Sequence, residues 1–391
     1  MATVLFAWEL GNGLGHVMRL KRLAGRLAPH GLGIVAAVKN LAAAHFLAGD
    51  GITLIQSPIW PVVFRDNYKF EQSSATFGDM LAGFGLADPQ LLPTLLAAWD
   101  RLFAFVRPDI VVADYAPAAM LAARGRLPLA IVGSGFAVPP AEMLTFPLLH
   151  HASPPIRREQ DILASVNDAL RSLKIAELDR LPQMFESEVR SVQTFPILDP
   201  YRTERVVSAE GPVVPIPLPR EAGSHTIFGY FASGWSPRAD LIDALMPFGR
   251  RLRVFGPGLS PAQSSMLSNA GVLIETRPLP LSQNLARMSL LIHSGNAGLA
   301  AEALAAGVPQ LALSVDIEKD LTGQALADAG VGRLIKMHDP SAMISTRMIE
   351  ELAVDAKLAL RASELGASHR DMLQALQPLA KFESDCLKLL H

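Results

Sequence analysis

The stretch that decides the fold reads Ile292-His293-Ser294-Gly295-Asn296-Ala297-Gly298, and it runs into an alanine-rich segment that ends at Gly307-Val308-Pro309. The apolar residues 289–292 predict a buried strand, and the alanine-rich segment predicts a helix that stops at Gly307. The small residues between them predict a turn at the amino end of the helix, where unpaired backbone N–H groups and the helix dipole favour an anion. The same pattern is equally typical of an ordinary strand–turn–helix unit in a parallel sheet.

Two side chains on this stretch add chemistry to the predicted turn. His293, at the end of the strand, is a candidate donor to a phosphate, and Glu302, within the helix, is a candidate acceptor for a hydroxyl group. The alternative for His293 is a purely structural role, in which its ring caps the turn.

Short aliphatic runs alternate with longer helical segments on both sides of this stretch. The predicted strands are residues 4–8, 34–38, 53–55, 110–113, 129–132, 225–231, 252–255, 272–274, 289–292, 310–313 and 333–335. The predicted helices include residues 16–27, 41–48, 90–106, 116–124 and 156–190, and the tail from residue 341 with a possible break at Gly366. Such alternation is typical of parallel sheets covered by helices. The sequence therefore predicts an α/β protein with two Rossmann-like parallel-sheet domains facing a ligand-binding cleft.

A proline-rich run at residues 211–219 marks the best domain boundary, because it can continue neither a helix nor a central strand. We predict an N-terminal domain over residues 1–205 and a C-terminal domain over residues 223–370. The linker between them spans residues 206–222. A last helix, residues 371–391, is expected to pack back on the N-terminal domain.

Composition bounds the function classes. With 391 residues, 50% of them hydrophobic and 18% charged, the chain is long enough for two domains with sizeable cores. A net charge of −2 provides no basic excess for nucleic acid. The single cysteine, Cys386, excludes an internal disulfide and suits the cytoplasm, and no signal peptide is evident. The apolar window at residues 127–149 is interrupted by prolines, so we expect at most peripheral membrane contact.

A glycine-rich turn, Gly11-Asn12-Gly13-Leu14-Gly15-His16, follows the first predicted strand and opens the first helix. It departs from the dinucleotide pattern at its sixth position, and the second strand ends without the acidic residue that holds a ribose, so binding of NAD is disfavoured. His16 at this turn is a candidate general base, and Asp114, at the end of another strand of the same sheet, is the candidate carboxylate that orients it. The alternative is a histidine that only caps the helix.

The long segment at residues 57–88 is rich in aromatic side chains and has no predicted regular structure. A loop of that length in a compact domain is usually functional, and here it suggests a lid over an acceptor. The alternative is that the aromatic residues only fill space in the domain core.

Two further turns lie where ligand contacts are expected in the second half. The turn Ser233-Gly234-Trp235-Ser236-Pro237 fits either a phosphate contact or plain helix initiation by Pro237. The acidic residues Asp316, Glu318 and Asp320 fit either sugar-hydroxyl contacts or the electrostatics of a helix start. No histidine or further carboxylate stands at metal-ligand spacing near them, so no metal is expected.

Several motifs of the second half together resemble the donor-binding domain of GT-B nucleotide-sugar glycosyltransferases. They are Pro280-Leu281-Ser282-Gln283-Asn284-Leu285, Leu291 to Gly295, Glu302 to Gln310, Glu318-Lys319 and Gly330-Val331-Gly332. Gly13-Leu14-Gly15-His16-Val17 is similar to the opening glycine–histidine turn of the same proteins. The nearest family is the UDP-glycosyltransferase superfamily, with its bacterial macrolide-glycosyltransferase branch.

The resemblance implies an inverting, metal-independent transfer of a sugar from a nucleotide diphosphate, UDP- or TDP-linked, to a hydroxyl of an apolar small-molecule or lipid-like acceptor. It implies no further cofactor. His16 would be the base, and Asp114 would orient it. The residues implied in donor binding are Gly13, Gly15, Ser233, Gly234, Arg277, His293, Ser294, Gly295, Asn296, Ala297, Gly298, Glu302, Glu318 and Lys319.

This chain differs from the family in the lining of the donor turn. Gly298, Leu299 and Ala300 stand where Thr or Ser is usual, and one extra residue separates His293 from Glu302. One residue rotates a helical side chain by about 100°. Arg19 stands where many relatives have proline. Two alternatives therefore stay open: a GT-B-fold sugar-nucleotide epimerase, and a catalytically silent nucleotide-sugar-binding protein.

Overall fold

The computed structural model describes the whole chain except residues 12–13, 48, 50, 62–73, 150–153, 232–236 and 391. The chain divides into two compact units. The first unit comprises residues 1–193, 200–213 and 377–391, and the second comprises residues 194–199 and 214–376. One junction, between Val213 and Val214, lies inside the proline-rich run. Residues 194–199 belong to the second unit, although the predicted N-terminal domain extends to residue 205.

The first unit is built on a six-stranded parallel sheet in the order β3-β2-β1-β4-β5-β6. Its strands are β1 (Thr3–Trp8), β2 (Gly33–Val38), β3 (Ile52–Gln56), β4 (Ile110–Asp114), β5 (Leu129–Gly133) and β6 (Val189–Val192). Its helices are α1 (Leu14–Leu27), α2 (Phe77–Phe84), α3 (Leu91–Val106), α4 (Pro117–Ala123), α5 (Glu159–Ser172) and α13 (Pro378–Leu389). The central strand β4 reads as an unbroken apolar run before Asp114 and is buried throughout, as expected for a parallel strand covered on both faces.

The second unit repeats this plan with a parallel sheet in the order β12-β11-β10-β7-β8-β9. Its strands are β7 (Thr226–Tyr230), β8 (Leu252–Phe255), β9 (Leu273–Glu275), β10 (Met288–His293), β11 (Gln310–Ser314) and β12 (Gly332–Lys336). Its helices are α6 (Ala239–Leu245), α7 (Pro261–Asn269), α8 (Leu281–Asn284), α9 (Ala297–Ala306), α10 (Ile317–Asp328), α11 (Thr346–Val354) and α12 (Ala356–Leu376). Short 3₁₀ turns join several of these elements in both units.

Both sheets have the same strand order when each is counted from its own first strand, namely 3-2-1-4-5-6. This is the doubly wound order, in which the chain reverses direction across the sheet between the first and the fourth strand. Ligands of such folds bind beyond the carboxyl ends of the strands at that reversal, called here the switch point. The switch point lies between β1 and β4 in the first unit and between β7 and β10 in the second. The predicted α/β class with two Rossmann-like parallel sheets is confirmed.

Four predictions of local structure need correction, the fourth of them at Gly366. Residues 156–190 were predicted as one helical region, but α5 ends at Ser172 and the same stretch leads into the edge strand β6. Part of the segment at residues 57–88 is helical, since Thr76 caps α2 by accepting the Asp79 N–H; residues 62–73 of that segment lie outside the described part. The predicted helix at residues 41–48 is only a 3₁₀ turn, Ala43–Leu47.

Gly366 was predicted as a break, yet α12 runs through it to Leu376. A Cβ atom at Gly366 would lie 2.6 Å from the Cα of Gly307, where α9 ends. The glycine therefore serves the close packing of α12 against the end of α9. In the part of the chain that the structure describes, no helix is both long enough and apolar enough to cross a membrane.

Candidate functional site

The switch point of the first unit brings His16 and Asp114 together, as predicted. Trp8 and Asp114, the last residues of β1 and β4, lie side by side in the sheet register. His16 stands in the first turn of α1, just beyond β1. Its Nδ1 lies 3.1 Å from Oδ2 of Asp114. Parallel strands end at one edge of the sheet, and this common edge is why residues 98 positions apart in sequence meet.

Arg19, one turn further along α1, is a third member of this site. Its Nη1 donates to both carboxylate oxygens of Asp114, at 2.9 and 3.0 Å. Asp114 is completely buried, while the side chains of His16 and Arg19 keep 15% and 16% of their surface exposed. Sequence reasoning noted Arg19 only as a departure from the family. The helical spacing of three residues from His16 was the signal that could have placed both side chains over one carboxylate.

Burial by itself would raise the pKa of the Asp114 carboxyl, but the charges of Arg19 and His16 and their hydrogen bonds outweigh it and hold this pKa below the ordinary value. Asp114 is therefore a carboxylate. It lies within hydrogen-bond distance of Nδ1 of His16, and when that nitrogen donates to Asp114, Nε2 is the ring nitrogen that can carry a free lone pair. Such an arrangement suits a general base.

The imidazole ring of His16 is fixed from two sides by aromatic rings. The ring stacks on Trp8 with a centroid distance of 5.4 Å and on Tyr115 with a distance of 6.4 Å. Gly11 lies against Nε2, because a Cβ there would be 2.3 Å from that atom, and its φ of +75° is also one that side chains avoid. A glycine at position 11 is thus required by both backbone and ring.

At the switch point of the second unit, His293 ends β10 in a different environment. Its side chain is completely buried, and Nδ1 accepts the N–H of Gly295 at 3.1 Å. Burial lowers the pKa of His293 to about 4, although the neighbouring Gln310 side chain opposes the shift. His293 is consequently a neutral imidazole whose remaining proton is on Nε2.

The Nε2 atom of His293 and Oε1 of Gln310 are both buried, and neither reaches a hydrogen-bond partner among the described residues. The register places Leu291 beside Gln310, so His293, two residues after Leu291, shares a face of the sheet with Gln310. The second polar atom of this amide, Nε2, donates to the backbone oxygen of Ala300 in α9 at 3.2 Å. The two side chains therefore share one face of the sheet, and the Gln310 amide is close enough to act on the pKa of His293.

The turn between β10 and α9 is compact and shaped by Gly295. Gly295 has a φ of +85°, and a Cβ at this position would lie 2.8 Å from the backbone oxygen of Lys319 at the start of α10. The Ser294 hydroxyl donates to Oδ1 of Asn296 at 2.5 Å, and the Asn296 side chain accepts none of the amides of α9. The first amides of α9 are thus not capped by that residue, as an anion site at a helix start requires.

The structure brings some of the other predicted donor residues to this turn. Asp316 caps α10 by accepting the Lys319 N–H at 3.1 Å and forms an ion pair with the Lys319 ammonium group, so the helix-start explanation accounts for Asp316. Glu302 is buried within the second turn of α9. Glu318 lies in the first turn of α10.

The remaining predicted residues are more dispersed. Arg277 is exposed in the segment after β9, at the carboxyl edge of the same sheet. Gly15 lies in the first turn of α1, where a Cβ would meet nothing within 4 Å. Gly13, Ser233 and Gly234 lie outside the described residues. Within the described part of the chain, no group of three or more His, Cys, Asp or Glu side chains is placed to hold a metal ion.

Solved glycosyltransferase structures share this architecture over the full length of the chain. The calicheamicin glycosyltransferase CalG4 superposes with a TM-score of 0.69 at 18% identity, covering 100% of this chain and 98% of its own. SnogD from Streptomyces nogalater gives 0.61 at 18% identity, with 100% of both chains covered. VinC, solved in complex with DTDP, gives 0.58 at 14% identity, with 98% and 99% covered.

No family model matches the chain, and its sequence matches no curated protein. At such low identity the structural likeness shows the fold alone. The chain thus has the GT-B architecture of two doubly wound units, and the reaction has to be argued from its residues.

Proposed function

We propose that this protein is an inverting glycosyltransferase that moves a sugar from a nucleotide-diphosphate sugar to a hydroxyl group of an apolar small-molecule acceptor without a metal ion. The observation that carries the proposal is the hydrogen-bonded His16–Asp114 pair at the switch point of the first unit. A buried carboxylate that fixes one nitrogen of a part-exposed histidine leaves the other nitrogen to take a proton.

In the proposed reaction, Nε2 of His16 takes the proton of the acceptor hydroxyl, and Asp114 stabilises the imidazolium that forms. The hydroxyl oxygen attacks the anomeric carbon, and the bond from that carbon to the diphosphate oxygen breaks with its electron pair staying on the nucleotide diphosphate. Attack opposite to the leaving group inverts the anomeric configuration. Arg19 keeps Asp114 charged during this step, since its guanidinium group lies against both carboxylate oxygens.

For the donor, we assign the diphosphate to the turn Ser294–Gly298 and the first amides of α9. Partial positive charge at a helix start stabilises the negative charge that develops on the leaving group. Since the Gly295 N–H already donates to His293, the phosphate contacts fall to Ser294, Asn296 and the amides of Ala297 and Gly298. His293 supports the turn by accepting the Gly295 N–H through Nδ1, and its Nε2 stays a predicted donor to the phosphate. Gly13, Gly15, Ser233, Gly234 and Arg277 stay predicted donor contacts.

The sugar-nucleotide side chains are assigned by the same resemblance. Glu302 would accept the ribose hydroxyls, and Glu318 with Lys319 would contact the sugar. Lys319 fits this place because its backbone packs directly against Gly295 in the donor turn. The DTDP bound to VinC supports a nucleotide diphosphate as the ligand class.

An apolar acceptor is supported by the aromatic cluster around α2. Phe77 packs against Phe136, Phe146 and Phe185 at centroid distances of 5.2 to 5.6 Å, and Tyr115 joins it to His16. The phenylalanine rings are buried in the first unit, and Tyr115 connects them to the proposed base as an apolar neighbour.

A second candidate, binding of a nucleotide sugar without transfer, is favoured by one observation. Arg19 shares the Asp114 carboxylate with His16, which leaves less of its negative charge to stabilise a protonated His16.

Both candidates are tested by incubating the protein with UDP- and TDP-sugars, with and without a panel of apolar alcohols and phenols, and measuring free nucleotide diphosphate and glycosylated product. Acceptor-dependent release that His16→Ala abolishes supports transfer. If calorimetry shows binding of the nucleotide sugar but no nucleotide diphosphate is released with any acceptor, only the second candidate, binding without transfer, remains. A changed sugar without nucleotide release would indicate an epimerase.

A further inference from the structure

Glu9, the residue after β1, is a buried carboxylate that sequence reasoning did not single out. Its side chain is only 1% exposed and accepts four hydrogen bonds. The indole N–H groups of Trp60 and Trp99 donate to it, the first at 3.2 Å. The backbone N–H groups of Ala118 and Ala119 donate at 2.9 and 3.2 Å.

These four donors make Glu9 the missing cap of α4. The residue before α4 is Ala116, whose side chain cannot accept a hydrogen bond, so the first amides of this helix would otherwise have no side-chain cap. Indole and backbone N–H groups are donors only, and all four therefore favour the charged carboxylate. Burial opposes this and raises the pKa of Glu9 to about 7.

The chain neighbours of Glu9 contact the groups that surround His16. Glu9 follows Trp8, whose ring stacks on His16. It precedes Leu10, whose N–H donates to the backbone oxygen of Tyr115 at 3.0 Å and whose own oxygen accepts the Trp8 indole N–H at 2.6 Å. Tyr115 is the second ring beside His16, and its positive φ of 50° must be held by its surroundings.

We propose that Glu9 is a positioning residue, which locks the turn after β1 to the start of α4 and thereby holds His16 and its two flanking rings over Asp114. Glu9 joins the two turns of the switch point. Its backbone belongs to the turn that leads from β1 to His16, and its carboxylate holds the start of α4, the helix that follows Asp114 and Tyr115. This inference rests on the proposed function of the His16–Asp114 pair, and it predicts that a change at Glu9 reaches the reaction only through the position of His16.

The test is Glu9→Gln in the full chain, which keeps the shape of the side chain but turns an NH₂ group toward donors. Turnover should fall about 10- to 100-fold, as expected when a catalytic group is misplaced by a fraction of an ångström to an ångström, with KM for donor and acceptor changed less than about twofold. Glu210→Gln is the matched control. Glu210 is a carboxylate of the same unit, bonded to Ser191 and Lys381 near β6 and α13, and its amide variant should keep full turnover.

Tryptophan indole signals separate positioning from a merely structural role. The chain has four tryptophans, so its ¹H–¹⁵N spectrum has four indole signals to assign. Loss of a local cap would move only the signals of Trp60 and Trp99. Displacement of the turn must also move the Trp8 signal, because that indole donates to Leu10. Where Glu9→Gln does not fold, Trp99→Phe removes one donor, keeps the carboxylate, and should give a smaller loss in the same direction.

A turnover within twofold of wild type, a KM effect without a kcat effect, or an unmoved Trp8 signal would each overturn the inference. If the wild type transfers no sugar to any acceptor, the proposed function fails. The Trp8 signal then decides the positioning role alone, so the two failures are distinguishable.

Discussion

The two switch points have the same topology and each carries a histidine, yet the surroundings give these histidines opposite properties. His16 is partly exposed, lies beside a charged carboxylate and keeps one nitrogen available. His293 is fully buried, accepts a backbone N–H through Nδ1, and has its pKa lowered to about 4. In the proposed function, the first ring exchanges a proton and the second stays neutral.

The properties of a histidine at a strand end in this fold depend on the side chain that faces its ring. Asp114 offers His16 a full negative charge, whereas Gln310 offers His293 only a neutral amide. Changing one partner at a time tests whether one histidine reacts and the other supports the turn.

The largest effect is expected from replacing the two rings in turn. His16→Ala should lower kcat by about 10² to 10⁴, the usual contribution of a general base, with the Kd for nucleotide diphosphate unchanged. His293→Ala should weaken that Kd through the collapsed donor turn and spare kcat at saturating donor. Calorimetry with UDP and TDP, together with steady-state kinetics, measures both. Exchanged effects would invert the proposed roles.

The second prediction concerns Arg19, the partner that distinguishes the first switch point. Arg19→Gln leaves a fully buried Asp114 with His16 alone, and should lower the free energy of unfolding by about 3 kcal/mol at neutral pH, the low end for a broken buried pair. Urea unfolding checks this value. Arg19→Lys is the control, since it keeps the charge and should lose less. A loss below about 1 kcal/mol for Arg19→Gln would mean that the ion pair is not what holds Asp114 charged.

The third prediction is a pair of opposite pH slopes. The pKa of Glu9 is raised from 4.5 to about 7, so between these pH values the folded state holds a proton that the unfolded chain has released, and stability falls as pH rises. The pKa of His293 is lowered from 6.5 to about 4, so stability falls as pH drops through that range. Each contribution is on the order of 3 kcal/mol when complete.

Amide hydrogen exchange at several pH values reads the two units separately. Relative to wild type, Glu9→Gln should gain stability in the first unit as pH rises from 4.5 to about 7. His293→Gln should gain stability in the second unit as pH falls from 6.5 to about 4. A pH-independent difference in either variant would show that the group does not titrate on unfolding.

Much of the fold could be predicted from the sequence, because buried parallel strands are short aliphatic runs bounded by glycine and polar residues. All eleven predicted strands overlap observed ones. The missed strand β6 is short and reads Val189-Arg190-Ser191-Val192, with a charged and a polar residue in its middle, so no aliphatic run announces it. Gly366 suggested a helix break that is not there. A glycine is needed at this position because of the contact with Gly307, which is 59 residues away in sequence and forms only on folding.

The candidate site shows the same limit more sharply. His16 and Asp114 could be paired from topology, since strand ends share an edge. The helical spacing from His16 could also have placed Arg19 on Asp114. The role of Glu9 could not be assigned, because it depends on donors contributed by Trp60 and Trp99. The sequence also could not show that His293 is buried and neutral, and its contact to a phosphate through Nε2 stays a prediction.

The smallest effects are expected from single methyl groups at glycines of the two turns. Gly11→Ala and Gly295→Ala both place a Cβ at a positive φ, the first against Nε2 of His16 and the second against the backbone oxygen of Lys319. Each should cost about 1 to 3 kcal/mol of unfolding free energy. Gly15→Ala is the control, since its Cβ meets nothing within 4 Å and alanine in a helix is favoured by up to about 1 kcal/mol.

The same two variants also test whether the switch points have separate roles, because one methyl group displaces the proposed base and the other displaces the donor turn. In Gly11→Ala the imidazole ring must tilt away, so kcat should fall while the Kd for nucleotide diphosphate stays the same. In Gly295→Ala the rigid backbone of α10 cannot yield as a side chain does, so the donor turn must open and the Kd should rise. Kinetics and calorimetry on both variants measure this division. Equal effects on kcat and Kd in both would mean that the two turns do not serve separate steps.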